Sequence, residues 1–152
     1  MADPRAVNQT MRNFGYPASA VAEYDHWAVL LRPQQATLGA LVLVCREEAT
    51  AFSTISPAAF AELDRVVREI EAALGAAFAY EKINYLMLMM VDPHVHFHVL
   101  PRYPAPRELA GVTFTDPGWP RLPDLGNAPS VTEDCRAAVM AALKASWRVR
   151  RS

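Results

Sequence analysis

Three of the four histidines in the 152-residue chain stand at alternate positions, His94-Val95-His96-Phe97-His98. On an extended strand residues two apart share a face, so the imidazoles line one side while Val95, Phe97 and Val99 pack the other. A buried imidazole needs a polar partner and packs less well than an aliphatic side chain. A row of titratable rings on an otherwise apolar strand therefore points to chemistry. Two chemistries fit. As metal ligands, neighbouring histidines about 6.6 Å apart at Cα could share a cation, whereas the outer pair is about 13 Å apart. One zinc ion with bonds near ~2.1 Å cannot take all three on a straight strand. A further ligand must then come from His26, Glu81, Asp92 or a cysteine, and no CxxC, HExxH or second histidine pair supplies it. As a nucleophile, a neutral imidazole attacks phosphorus without a separate base, and water hydrolyses the phospho-imidazolium that results. Flanking imidazoles, with ordinary pKa values near ~6.5, suit protonation of a leaving group and contacts to phosphate oxygens. His96 alone has a partner on each side.

The elements that must position these rings follow from the flanking pattern. Residues 1–24 read as a polar arm with one helical turn at Ala18 to Glu23. His26 to Leu31 is an apolar run closed by Pro33, and Gly39 to Cys45 is a second, β-branched run; their closeness predicts an antiparallel hairpin. Ser56-Pro57 is a helix start, with a hydroxyl at the N-cap and proline at the first helical position. Apolar residues at Phe60, Leu63, Val66, Val67, Ile70, Ala73 and Leu74 continue it as one buried stripe, predicting a helix over 57–78. Ile83 to Met90 reads as a third strand, central and covered on both faces. His94 to Leu100 is the fourth, ended by Pro101.

From 101 to 129 the composition shifts. Seven of the 12 prolines fall there, at 101, 104, 106, 117, 120, 123 and 129. Such a stretch makes an extended surface segment, held down by Phe114, Trp119 and Leu122. Ser130 and Glu133 form a capping box for a last helix over 130–148, striped by Cys135, Val139, Leu143 and Trp147. Its basic end carries Lys144, Arg148, Arg150 and Arg151, favourable at the negative end of the dipole.

Composition narrows the partners. With 52% hydrophobic residues and 20% charged ones, the chain fills one core, and a single domain over 1–152 is expected. Lys+Arg number 15 and Asp+Glu 16, for a net charge of −1, so no positive field marks a nucleic-acid grip. The first residues lack the apolar core of a secretion signal, and the longest apolar run, Tyr85 to Val91, is too short to span a bilayer. A cytoplasmic protein with no membrane partner is expected.

The segment His94-Val95-His96-Phe97-His98-Val99-Leu100-Pro101-Arg102 resembles the His-x-His-x-His-x-x signature of the histidine triad (HIT) superfamily, with its frequent Pro-Arg ending. The resemblance extends to Asp25 through Glu48, where Pro33 and Gly39 to Arg46 look like the family's hairpin, and it covers roughly residues 24–103. It implies an α+β domain with an antiparallel sheet of about five strands and two helices: an arm (1–24), a core (25–103), the Pro-rich segment (104–129) and the last helix. It also implies a homodimer joined through sheet and helix, and nucleotidyl hydrolysis or transfer at the α-phosphate of a purine nucleotide conjugate, with no cofactor. By position His96 would be the nucleophile, His98 would bear on the scissile bridging atom, and His94 would support the phosphate or the other rings. The transferase branches generally carry glutamine at the third position, so His98 leans towards hydrolysis. Asn84, Arg102 and Asp92 are the candidates for nucleotide or phosphate contact.

The departures are local. Family hydrolases commonly place Gly-Gln-Ser/Thr before the triad, where this chain has Met89-Met90-Val91-Asp92-Pro93. Ala40 and Glu48 stand where histidines are usual. Losing single phosphate donors weakens transition-state stabilisation by about 3 kcal/mol in other enzymes. A protein that binds purine nucleotides with weak or no turnover is the alternative.

Overall fold

The computed structural model describes residues 6–147. Strands β1 (Ala20–Glu23), β2 (Trp27–Leu31), β3 (Leu41–Cys45), β4 (Lys82–Leu86) and β5 (His96–Arg102) form an antiparallel sheet in the order β1-β2-β3-β5-β4. The helices are α1 (Gln9–Asn13), α2 (Pro57–Phe78) and α3 (Glu133–Ser146), and a separate hairpin joins β6 (Arg107–Leu109) to β7 (Val112–Phe114). The expected α+β fold, with a five-stranded antiparallel sheet, is what the chain adopts.

β2 and β3 are buried along their whole length, from Trp27 paired with Cys45 to Leu31 paired with Leu41. A strand buried on both faces needs two covers. On one face Trp27, Val29, Leu31, Leu43 and Val99 meet Val66, Ile70 and Leu74 of α2 and Val139 and Leu143 of α3. On the other, Ala28, Leu30, Val42 and Val44 meet Met11 of α1, with Phe14, Tyr16 and Ala20 beside it. This second face is the histidine face, because Val42 pairs with His98 and Val44 with His96.

Both longer helices are set by their caps. Ser56 accepts a hydrogen bond from the Ala59 N–H, and Pro57 occupies the first turn. Glu47 locks that cap to the end of β3: its carboxylate accepts the Ser56 N–H at 2.8 Å and the Ser56 hydroxyl at 2.6 Å. Gly39 leads into β3 at φ +82, and a Cβ there would lie 2.9 Å from the Phe78 ring. Only glycine admits both the left-handed backbone and the end of α2 so close.

Several expectations are corrected. Ala18 to Glu23 is not a helical turn, since Ala20–Glu23 pairs with β2 as an edge strand. The helical turn of the arm lies earlier, capped by the Asn8 side chain, which accepts from the Met11 N–H. β4 is an edge strand rather than central, and it ends at Leu86, before the methionines. β5 runs through Pro101 to Arg102. Its pairing with β3 stops at Val99, so Pro101 has a neighbour on one side only, the situation in which a strand tolerates proline. The Pro-rich segment contains the β6–β7 hairpin, and Leu122 is 83% exposed instead of holding the segment down. The cap of α3 is Thr132, not Ser130. Arg148, Arg150 and Arg151 lie outside the described residues.

Candidate functional site

β5 presents His96 and His98 on one face, and Phe97 and Val99 face the α2 side; His94 sits just before the strand. The two strand imidazoles lie 5.2 Å apart between ring centroids, nearly perpendicular. All three histidines are buried. Each ring is therefore defined by its hydrogen bonds.

The His96 Nδ1–H donates to the carbonyl oxygen of His94 at 2.7 Å. A carbonyl only accepts, so the proton is on Nδ1 and the lone pair is on Nε2. Among the described residues Nε2 has no hydrogen-bond partner. His94 is clamped on both nitrogens. The Thr10 hydroxyl accepts the His94 backbone N–H at 3.2 Å and donates to Nδ1 at 2.8 Å, while the Nε2–H donates to Glu48 at 2.9 Å.

His98 differs in sign. The guanidinium of Arg32 donates from Nε to His98 Nδ1 at 3.2 Å. Because a guanidinium can only donate, His98 carries its proton on Nε2. Burial first, then the positive charge of Arg32 and the neighbouring His96 ring, push its pKa down to about 4, against a smaller upward pull from Asp92. At neutral pH His98 is an uncharged N–H donor.

The N-terminal segment completes this surface. The Phe14 ring lies 5.7 Å from the His96 ring and 5.7 Å from the His98 ring. Asn13 donates to Asp92 at 2.8 Å, tying the end of α1 to the turn that precedes the triad. Thr10, Asn13, Phe14 and Arg32 were not among the sequence candidates. Their contacts cross 84, 79 and 66 residues, which no local spacing reveals. The one local signal was Met11 and Phe14, three apart behind a capping asparagine.

The other candidates lie elsewhere. Arg102 is two residues beyond Leu100 on the same face, and each nitrogen of its guanidinium is taken. Nε and Nη2 donate to Asp116 at 2.6 and 2.9 Å, and Nη1 donates to Asn84 at 2.7 Å. Asn84 and Arg102 line a cleft of about 710 Å³ between β4 and the Pro-rich segment, with Lys82, Trp119 and Arg121. No triad histidine borders it. Asp92 is at the triad but is engaged by Asn13. His26 bonds Glu47 at 3.2 Å and belongs to the cap of α2. For the metal reading, no group of three or more His, Cys, Asp or Glu side chains among the described residues is arranged to hold an ion.

Residues 14–105 match the HIT domain. The chain belongs to the HIT-domain family. The match begins at Phe14, ten residues before the motif resemblance does, and so takes in β1 and the ring beside the triad. No curated protein matches the chain. Among solved structures it is similar to a histidine triad protein from Sinorhizobium meliloti 1021, with 20% identity, TM-score 0.71, and coverage of 92% of this chain and 95% of that one. A histidine triad protein from Bradyrhizobium japonicum has 18% identity and TM-score 0.71, covering 93% and 97%. A zinc-bound histidine triad family protein from Mycobacterium smegmatis has 19% identity and TM-score 0.56, covering 84% of each chain. At these identities the likeness is one of fold. Membership in the HIT family makes this a nucleotide-binding, hydrolase or transferase type of protein. No helix among the described residues is long and apolar enough to cross a membrane.

Proposed function

We propose that this HIT-domain protein is a nucleotide-conjugate hydrolase or nucleotidyl transferase that works through a nucleotidyl-histidine on His96. The observation that carries the reading is the His96 Nδ1–H bond to the His94 carbonyl, which leaves Nε2 as a fixed lone pair with no partner among the described residues. In the reaction, Nε2 attacks the α-phosphorus of a purine nucleotide conjugate, and the bond to the leaving group breaks with its electron pair. The imidazolium adduct keeps its Nδ1–H on a carbonyl dipole, which favours the developing positive charge. Water then attacks phosphorus, the P–N bond returns its pair to Nε2, and the nucleoside monophosphate departs. His98 faces the leaving group through its Nε2–H, and the Thr10–His94–Glu48 chain holds the carbonyl that orients His96.

Hydrolysis of a diadenosine polyphosphate and an adenosine phosphoramidate, with chelator present, tests this reading. Release of AMP by the wild type and not by His96→Ala supports it; equal release by both sinks it. A second reading, nucleotide binding with weak turnover, is favoured by one feature. The segment before the triad offers Met90 and Val91 at 86% and 90% exposure where a hydroxyl or amide would assist. Calorimetry showing tight AMP binding, together with no AMP released from either conjugate over hours, would select it.

The homodimer implied by the family resemblance belongs to the same proposal. β4 leaves one edge of the sheet open, and Phe52, just before α2, and Phe60, in its first turn, are exposed. Sedimentation equilibrium at a single protomer mass would remove that part.

A further inference from the structure

Arg32 follows the last residue of β2, and its backbone N–H donates to the Ala40 carbonyl at 2.9 Å, so its position is set by the β2–β3 hairpin. Its side chain gives Nε to His98 and Nη1 to the Gln34 carbonyl at 2.8 Å. Nη2 has no partner among the described residues. Arg46, Arg65, Arg68 and Arg102 each pair with a carboxylate; Arg32, like Arg12, Arg107, Arg121 and Arg136, pairs with none among the described residues, and of these five it is the one that donates to a triad imidazole. Half-burial lowers its pKa from the ordinary value, yet a guanidinium stays charged at neutral pH. A partly buried cation with free donors, held against the triad, is in want of an anion.

We infer that Arg32 makes the site selective for conjugates whose leaving group departs as an oxyanion, that is, phosphoric anhydrides and mixed anhydrides with sulfate or carboxylate. The inference rests on the nucleotidyl-histidine reading and names its substrate class. An amine leaving group must receive a full proton as the P–N bond breaks. His98 is poorly equipped to give one, because its Nδ1 is occupied by Arg32 and it is uncharged at neutral pH. The groups around His98 are Arg32 from the end of β2, His96 on its own strand and Asp92 from the preceding turn. Phe14 and the paired residues Val42 and Leu86 add no charge. Asp92 alone favours an imidazolium, and it is outweighed.

An oxyanion needs no proton. In the first step the Nε2–P bond forms and the P–O bond to the leaving group breaks, its electron pair staying on oxygen. The His98 Nε2–H then stabilises that charge by hydrogen bonding, and the Arg32 guanidinium, held on the Nδ1 side of the ring, by Coulomb attraction in a partly dry site. In the second step water attacks phosphorus, the P–N pair returns to His96, and the proton of the water is released to solvent. Arg32 is a positioning residue: it holds His98 as the Nε2–H tautomer and sets a positive charge behind the ring that faces the leaving oxygen.

The test compares AMP release from a diadenosine polyphosphate, adenosine 5′-phosphosulfate and adenosine 5′-phosphoramidate by the full chain in chelator. The 4-nitrophenyl ester of AMP serves as the reference whose leaving group departs unaided. The wild type is expected to prefer both anhydrides over the phosphoramidate by more than about tenfold in kcat/KM. Arg32→Gln should shrink that preference by about tenfold or more, and Arg32→Lys, which keeps the charge without the fork, should fall between. Phosphoramidate cleavage by Arg32→Gln should also rise towards acid at a higher pH than in the wild type, since His98 is relieved of a neighbouring charge. Equal cleavage of the two classes by the wild type would overturn the inference whether or not the variants fold. An Arg32→Gln protein that slows every substrate alike would do the same. Full activity in His96→Ala, or failure of the wild type on the nitrophenyl ester, would instead overturn the underlying reading and the inference with it.

Discussion

The Nδ1 of His96 donates to the carbonyl oxygen of His94 across 2.7 Å, so the tautomer of the central ring is chosen by the backbone of its own strand. The carbonyl is held in turn because His94 is anchored at three points: the Thr10 hydroxyl touches both its N–H and its Nδ1, and Glu48 takes its Nε2–H. A nucleophile that is pre-oriented in this way needs no reorganisation as charge develops on it.

Thr10 carries that arrangement from the N-terminal segment. Thr10→Val keeps the shape and removes the hydroxyl, leaving the buried His94 N–H without its acceptor. A loss of about 1–3 kcal/mol in unfolding free energy is expected, read from denaturant midpoints. kcat should fall with it, since the His94 carbonyl loses its anchor.

His98 makes stability pH-dependent with a definite sign. Its folded pKa, about 4, lies below the ordinary histidine value. As the pH falls from about 6.5 the unfolded chain takes up a proton that the folded chain refuses, so stability drops between there and pH 4. His98→Gln should flatten that part of the profile in denaturation measured across pH. An unchanged slope would mean that the ring is not held neutral.

Arg102 and Asp116 form a pair in which both side chains are almost wholly buried. Arg102→Gln would strand the Asp116 carboxylate, and a loss of about 3–5 kcal/mol is expected from thermal or chemical unfolding. A phosphate-binding role alone would leave stability unchanged and raise KM.

Gly39→Ala tests the packing that seats the hairpin. A left-handed φ of +82 and a Cβ 2.9 Å from Phe78 act together. The variant should lose about 1–3 kcal/mol, and Phe78→Ala should remove the steric part of its cost in a double-mutant cycle.

Much of this fold is legible where local chemistry and tertiary structure agree. Ser56-Pro57 and the apolar stripe behind it predict α2 to the residue, and the runs around Pro33 and Gly39 predict the β2–β3 hairpin. The alternation of His94, His96 and His98 identifies the candidate site. What stays hidden depends on partners distant in sequence. The apolar residues of β4 suggest a central strand, yet strand order is decided by which elements pack over it, and β4 ends up at an edge. Ala20–Glu23 has weak strand character of its own and is a strand because β2 pairs with it. Arg32 looks like a strand terminator before proline; only the pairing of β3 with β5 brings His98 within its reach.

The most direct measurement is to mix the wild type rapidly with the 4-nitrophenyl ester of AMP, quench in base, where phosphohistidine bonds survive, and map the adduct by peptide mass spectrometry. An adenylyl group on His96, absent from His96→Ala, is the predicted result. Turnover with no adduct on that peptide, or turnover retained in His96→Ala, would contradict the account.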